Sequence, residues 1–86
     1  MQIKYSKSSL KILSKYDRPT REQILEAISG LEEEPPKGDI RPLSGRKDEI
    51  RLRTGKYRII YEYILQDNKK YIKIKKIDSR GDVYKD

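Results

Sequence analysis

Two hydrophobic periods divide the chain. Gln2 to Ser6 alternates, with Ile3 and Tyr5 on one side, and predicts a short first strand. The spacing then lengthens: Leu10, Ile12, Leu13 and Tyr16 are the apolar positions of a helix that Ser8 or Ser9 can cap and that Asp17-Arg18-Pro19 breaks. A second helix follows at once. Thr20 with Gln23 three residues on has the form of a capping box, and Asp17 with Pro19 in the first turn is an equally good start. Ile24, Leu25, Ile28 and Leu31 make one apolar stripe, which Pro35-Pro36 ends near Glu34. Residues 35–48 hold three of the four prolines and two glycines, which predicts a loop with at most a brief extended stretch around Ile40 and Leu43. From Glu49 the period is two. Ile50 and Leu52 alternate with Arg51 and Arg53, Tyr57 to Leu65 is a longer strand, and Tyr71 to Ile77 is another after a turn over Gln66 to Lys70. The order β-α-α-β-β-β predicts an α+β fold, with two antiparallel helices packed on one face of a small, mainly antiparallel sheet. No repeat or linker interrupts a single domain over residues 1–86.

Composition sharpens this picture. Twelve Ile, seven Leu, one Val and no Phe make a thin core to which the seven tyrosines must contribute. The absence of His and Cys removes zinc sites, thiol nucleophiles, disulfides and imidazole acid-base catalysis, so any chemistry must use Arg, Lys, Tyr or carboxylates. No strictly aliphatic run exceeds two residues and Met1 to Tyr5 has no apolar h-region, so neither a membrane span nor a secretory signal is expected and a cytoplasmic location is. The formal charge of +7 is uneven: residues 1–43 carry 8 basic and 7 acidic side chains, residues 44–86 carry 13 and 7. The second half is where a polyanion would bind.

Gly55-Lys56 fits a two-residue turn with Gly first, which sets a register in which paired residue numbers add to 111. Leu52 then faces Ile59 and Ile50 faces Tyr61 on the side the helices cover, while Arg53 faces Arg58 and Arg51 faces Ile60 on the other. Like charges directly opposite destabilise a strand pair, so the arrangement predicts an anion between them. Outward lysines are ordinary on a solvated sheet face, and Lys73, Lys75 and Lys76 read first in that way. Arg51, Arg53 and Arg58 read as functional, because three converge and a guanidinium grips phosphate oxygens in a planar fork. Were RNA to lie on this face, Lys56, Lys73, Lys75 and Lys76 are the lysines placed to meet its backbone. Glu62, on the same strand face as Arg58, reads first as an ion-pair partner that holds an arginine in place, with proton acceptor as the alternative. Tyr57, Tyr61 and Tyr63 share a strand face with Ile59 and Leu65 and read as core, whereas Tyr84 sits in the polar tail four residues after Arg80.

Over nearly its whole length the chain resembles the RelE/ParE superfamily of bacterial toxin-antitoxin modules, on the RelE side. The resemblance rests on Pro19-Thr20-Arg21-Glu22-Gln23-Ile24, on Leu43-Ser44-Gly45, on the block from Ile50 to Glu62, and on Ser79-Arg80-Gly81-Asp82-Val83-Tyr84. It implies a toxin that enters the ribosomal A site and cuts messenger RNA, using the substrate's 2′-hydroxyl to attack the adjacent phosphate and needing no metal or other cofactor. Arg51 and Arg53 match the paired basic positions of the second strand, where they would neutralise phosphate and help activate the hydroxyl. Arg58 would stabilise the charge developing on phosphorus. Tyr84 would stack on or orient a base and take part in proton transfer, and Arg80 matches an arginine four residues before it. Asp78 and Ser79 stand where extra basic residues often occur in the family. The implied partners are a cognate antitoxin, the ribosome and its messenger RNA, with no membrane. The ParE side of the superfamily, which poisons DNA gyrase, and a non-catalytic RNA-binding module are the alternatives.

Overall fold

Strand β1 (Gln2–Tyr5) turns at Ser6 into helix α1 (Lys7–Lys15); the computed structural model describes residues 1–43, 45 and 48–79. The cap is Ser6, earlier than the sequence suggests: its Oγ accepts a hydrogen bond from the Ser9 N–H at 3.1 Å, and the fully buried Ser9 hydroxyl donates back to the Ser6 carbonyl at 2.8 Å. Helix α2 (Arg18–Ser29) starts on Asp17, whose carboxylate accepts from the Thr20 N–H at 3.0 Å and is held below the usual carboxylate range chiefly by its hydrogen bonds with Thr20. Arg21 ties the two helices. Its Nε donates to the Leu13 carbonyl and its Nη2 to that of Tyr16, satisfying carbonyls at the end of α1. The second helix stops at Ser29 and tightens into a 3-10 turn over Gly30–Glu32, short of the expected Glu34.

Four more strands follow: β2 (Asp39–Pro42), β3 (Ile50–Thr54), β4 (Tyr57–Gln66) and β5 (Lys69–Ser79). The sheet order is β1-β5-β4-β3-β2, with β1 parallel to β5 and the other neighbours antiparallel. The α+β architecture is the expected one. The brief extended stretch around Ile40 is a paired edge strand, because Asp39, Ile40, Arg41 and Pro42 lie in register with Arg53, Leu52, Arg51 and Ile50. The β3–β4 hairpin has the predicted register, Ile50 opposite Tyr61 through Thr54 opposite Tyr57, with Gly55 at φ +59° in its turn. The next turn is only Asp67-Asn68, both at positive φ, so β4 and β5 extend further than expected.

Both helices cover the face carrying Leu52, Ile59, Tyr61, Ile72, Ile74 and Ile77, on which Leu13, Ile24, Ile28 and Leu31 pack. Leu10 and Leu25 are exposed, which corrects their placement among the apolar contacts. Each helix meets the sheet along one row, Ser9–Leu13 and Ile24–Ile28–Leu31, and a residue one position further round turns to solvent. Leu65, next to the hairpin end, is exposed as well.

One irregularity sets what lies on each face. Ile60 pairs with Lys76 but Tyr61 pairs with Ile74, so Lys75 is an extra residue in β5. The bulge lets Ile74 and Ile77 both point into the core although they are three apart. The Lys75 carbonyl accepts from the Ser6 Oγ at 2.9 Å, and the Ser6 N–H donates to the Ile74 carbonyl at 2.9 Å, so the cap of α1 also clasps the bulge. Among the described residues no helix is long and apolar enough to cross a membrane.

Candidate active site on the open sheet face

The face away from the helices carries the charge. Cross-strand partners place Asp39, Arg53, Arg58 and Asp78 in one row, and Arg41, Arg51, Ile60 and Lys76 in the next. Arg53 does stand opposite Arg58. The anions flanking this pair are supplied by the protein itself, which corrects the inference that the clash by itself calls for an outside anion. Asp39 Oδ1 lies 2.9 Å from Arg51 Nη2, and Asp39 Oδ2 lies 2.9 Å from Arg53 Nε and 2.8 Å from its Nη2. On the far side, Asp78 Oδ1 is 3.9 Å from Arg58 Nε and its Oδ2 is 3.5 Å from Lys76 Nζ.

The two halves of the row differ in quality. Asp39 makes short charge-assisted contacts, whereas Arg58 Nε and Asp78 Oδ1 are buried without a hydrogen-bond partner among the described residues, as is Arg51 Nε. A guanidinium with an unmet donor still has capacity for an acceptor. Ile60 is buried, 5% exposed, on this same open face between Arg51 and Lys76. The patch is therefore a floor of Ile60 ringed by Arg51, Arg53, Arg58 and Lys76.

The remaining candidates are distributed differently. Glu62 pairs with Lys75 at 3.6 Å and with no described arginine, which corrects its reading as an arginine holder. Lys75 also meets Glu49 at 2.6 Å, and that hydrogen bond is the main reason its ammonium is pushed above its ordinary pKa. Lys73 stands opposite Glu62 further toward β1, and Lys56 lies at the hairpin turn over the Tyr57 ring at 5.6 Å. Neither joins the arginine row. Arg80 and Tyr84 lie outside the described residues. Tyr61 is on the opposite, helix-covered face; burial, then the neighbouring Tyr63, push its hydroxyl up to about 12, so it is a core group and no base at neutral pH.

Two residues of this face were not singled out by the sequence. Asp39 clamps the β3 arginines, and Arg41 adds a fourth guanidinium beside Arg51. The signal was the alternation Asp39-Ile40-Arg41, short and bounded by Pro42, inside a segment rich in turn residues.

The sequence matches the family of ParE toxins of type II toxin-antitoxin systems over residues 3–84. The chain belongs to this family. Among curated proteins none matches. Among solved structures, the toxin is similar to a chain of the archaeal RelE-RelB complex from Pyrococcus horikoshii OT3, at 34% identity over 93% of this chain and 94% of that one, with a TM-score of 0.71. A chain of the RelB-RelE antitoxin-toxin complex from Methanococcus jannaschii shares the fold at 23% identity, covering 94% of each chain with a TM-score of 0.71. A chain of the toxin-antitoxin complex RelBE2 from Mycobacterium tuberculosis does so at 21% identity over 92% of this chain and 96% of that one, with a TM-score of 0.70. The toxin is thus a type II toxin of the RelE/ParE superfamily.

Proposed function

We propose that this toxin is a ribosome-dependent endoribonuclease that cuts messenger RNA in the A site. The observation that carries the reading is the convergence of Arg51, Arg53 and Arg58 on one open sheet face. In the reaction the substrate's 2′-oxygen attacks the adjacent phosphorus and gives up its proton. The bond from phosphorus to the 5′-oxygen breaks, that oxygen takes a proton, and a 2′,3′-cyclic phosphate and a 5′-hydroxyl remain. Arg51 and Arg53 neutralise the phosphate and favour ionisation of the 2′-hydroxyl, while Arg58 stabilises the extra negative charge on the pentacoordinate transition state. Arg80 and Tyr84 complete the set, Tyr84 by orienting a base and relaying a proton. Lys76 borders the arginine row, and Lys75, Lys73 and Lys56 meet the RNA backbone further out. A cognate antitoxin, as in the RelB complexes of the similar structures, is the partner that silences the toxin.

The family match to ParE toxins favours a second reading, inhibition of DNA gyrase by protein contact. Incubating the toxin with ribosomes programmed with a defined message, and in parallel with gyrase and relaxed plasmid, separates the two. New RNA ends within the A-site codon, with supercoiling untouched, support the nuclease. Blocked supercoiling with intact message overturns it.

A further inference from the structure

Arg51 and Arg53 are held by a carboxylate from a different strand. Asp39, on the edge strand β2, is shared by both: Oδ1 takes Arg51 Nη2 at 2.9 Å, and Oδ2 takes the Nε–Nη2 edge of Arg53 at 2.9 and 2.8 Å. An arginine side chain loses about 2 kcal/mol of rotamer entropy when fixed, and on this open face the anchor offsets that loss, most of all for the more exposed Arg53. The anchor also decides which edge each fork offers. With its Nε–Nη2 edge occupied, Arg53 meets an incoming phosphate through Nη1 and the outer N–H of Nη2. Arg51, whose side chain is only 16% exposed, keeps Nη1 and one N–H of Nη2. We propose that Asp39 is a positioning residue: it fixes the angle of both guanidiniums and, by placing a negative charge among Arg41, Arg51, Arg53 and Arg58, restrains affinity for polyanions in general. This rests on the nuclease reading of the face.

The two effects of Asp39 act in opposite directions, and this distinguishes positioning from mere structural support. Asp39→Asn keeps the size and one acceptor oxygen but removes the charge. Its single-turnover cleavage should fall about tenfold to a hundredfold, the cost of misplaced reacting groups. Its affinity for a short single-stranded RNA oligonucleotide should instead rise, with a salt dependence steeper by roughly 0.7 in log K per log salt. A merely structural role would weaken cleavage and binding together. A third measurement needs no activity: NMR relaxation of the Arg53 Nε–H group should report an ordered side chain in the parent and a mobile one in Asp39→Ala. Melting curves identify variants that do not fold, and Asp39→Asn is the milder of the two. Folded Asp39→Asn that cuts within about threefold of the parent, RNA binding that weakens, or an Arg53 group that stays ordered would each overturn the proposal. A parent that leaves message intact sinks the nuclease reading, and the oligonucleotide and relaxation measurements then decide the role of Asp39 by themselves.

Discussion

Replacing Arg58 with alanine takes away the guanidinium placed between Arg53 and Asp78, and the structure bounds what this costs the fold. The only described ionic contact it breaks is the one to Asp78 at 3.9 Å, too long for a hydrogen bond and made by a side chain 28% exposed. Its partner Asp78 is only 14% exposed, so the loss lies between that of a surface pair and that of a fully buried one, at about 1–2 kcal/mol. Against that loss, the variant relieves the like-charged pair with Arg53 and a buried Nε without an acceptor, and Asp78 keeps Lys76 at 3.5 Å. The melting temperature should therefore fall by no more than about 8–16 °C. The catalytic cost is larger. Removing a group aimed at charge that develops only in the transition state typically lowers the rate by about 10² to 10³, whereas losing one charge-assisted contact to a ground-state phosphate costs on the order of tenfold in affinity. The assay is single-turnover cleavage on programmed ribosomes with saturating toxin, so that binding does not enter. A folded Arg58→Ala protein that cuts within about threefold of the parent would refute the assignment of Arg58 to the transition state.

Other expectations test the frame around the site. Ser6→Ala removes the cap of α1 and the donor to the Lys75 carbonyl together, and should cost about 2 kcal/mol, a melting-temperature loss on the order of 10 °C; an effect no larger than that of Ser8→Ala would contradict the double role. With Tyr61 pushed up to about 12, the unfolded tyrosine sheds its proton near 10 while the folded one keeps it, so stability is unaffected below that range and falls as pH climbs through it. Denaturant curves at pH 8 and pH 11 should show a smaller alkaline loss in Tyr61→Phe than in the parent, and equal losses would exclude this source. Saturating cognate antitoxin should raise the melting temperature by the binding free energy it supplies, about 4 kcal/mol at a thousandfold excess over Kd; unchanged melting would argue against a stabilising complex.

What the sequence revealed followed from local rules. Gly55 fixed the β3–β4 turn, the turn fixed the register, and the register put Arg53 opposite Arg58. What it concealed depended on which strands lie side by side. Asp39 and Asp78 are far apart in sequence and flank the arginine pair only because β2 and β5 border the hairpin, so the source of compensating charge needed the sheet order. Lys75 and Lys76 cannot both point outward under strict alternation; the spacing of Ile74 and Ile77 carries the bulge that resolves it. Leu10 and Leu25 show the limit of helical periodicity, since docking alone selects which of two neighbouring apolar residues meets the sheet. Of the candidate residues, the three hairpin arginines stand together as expected, while Lys56 and Lys73 lie apart from them.

The place of β5 between β1 and β4 bears on when the molecule comes into being. Strand β1 has its only described neighbour in the sheet in β5, far along the sequence, with Gln2 alongside Tyr71 and Tyr5 alongside Ile74. A nascent chain can close the β3–β4 hairpin while still growing, but β1 stays single, Ser6 has no bulge to clasp, and Arg58 has no Asp78 until β5 has emerged. Pairing across so long a stretch of chain is slow compared with forming a hairpin. Closure of the β3–β4 hairpin and completion of the charged face around it are thus separate events in time, and the interval between them is one in which a partner can meet the chain before its sheet is complete.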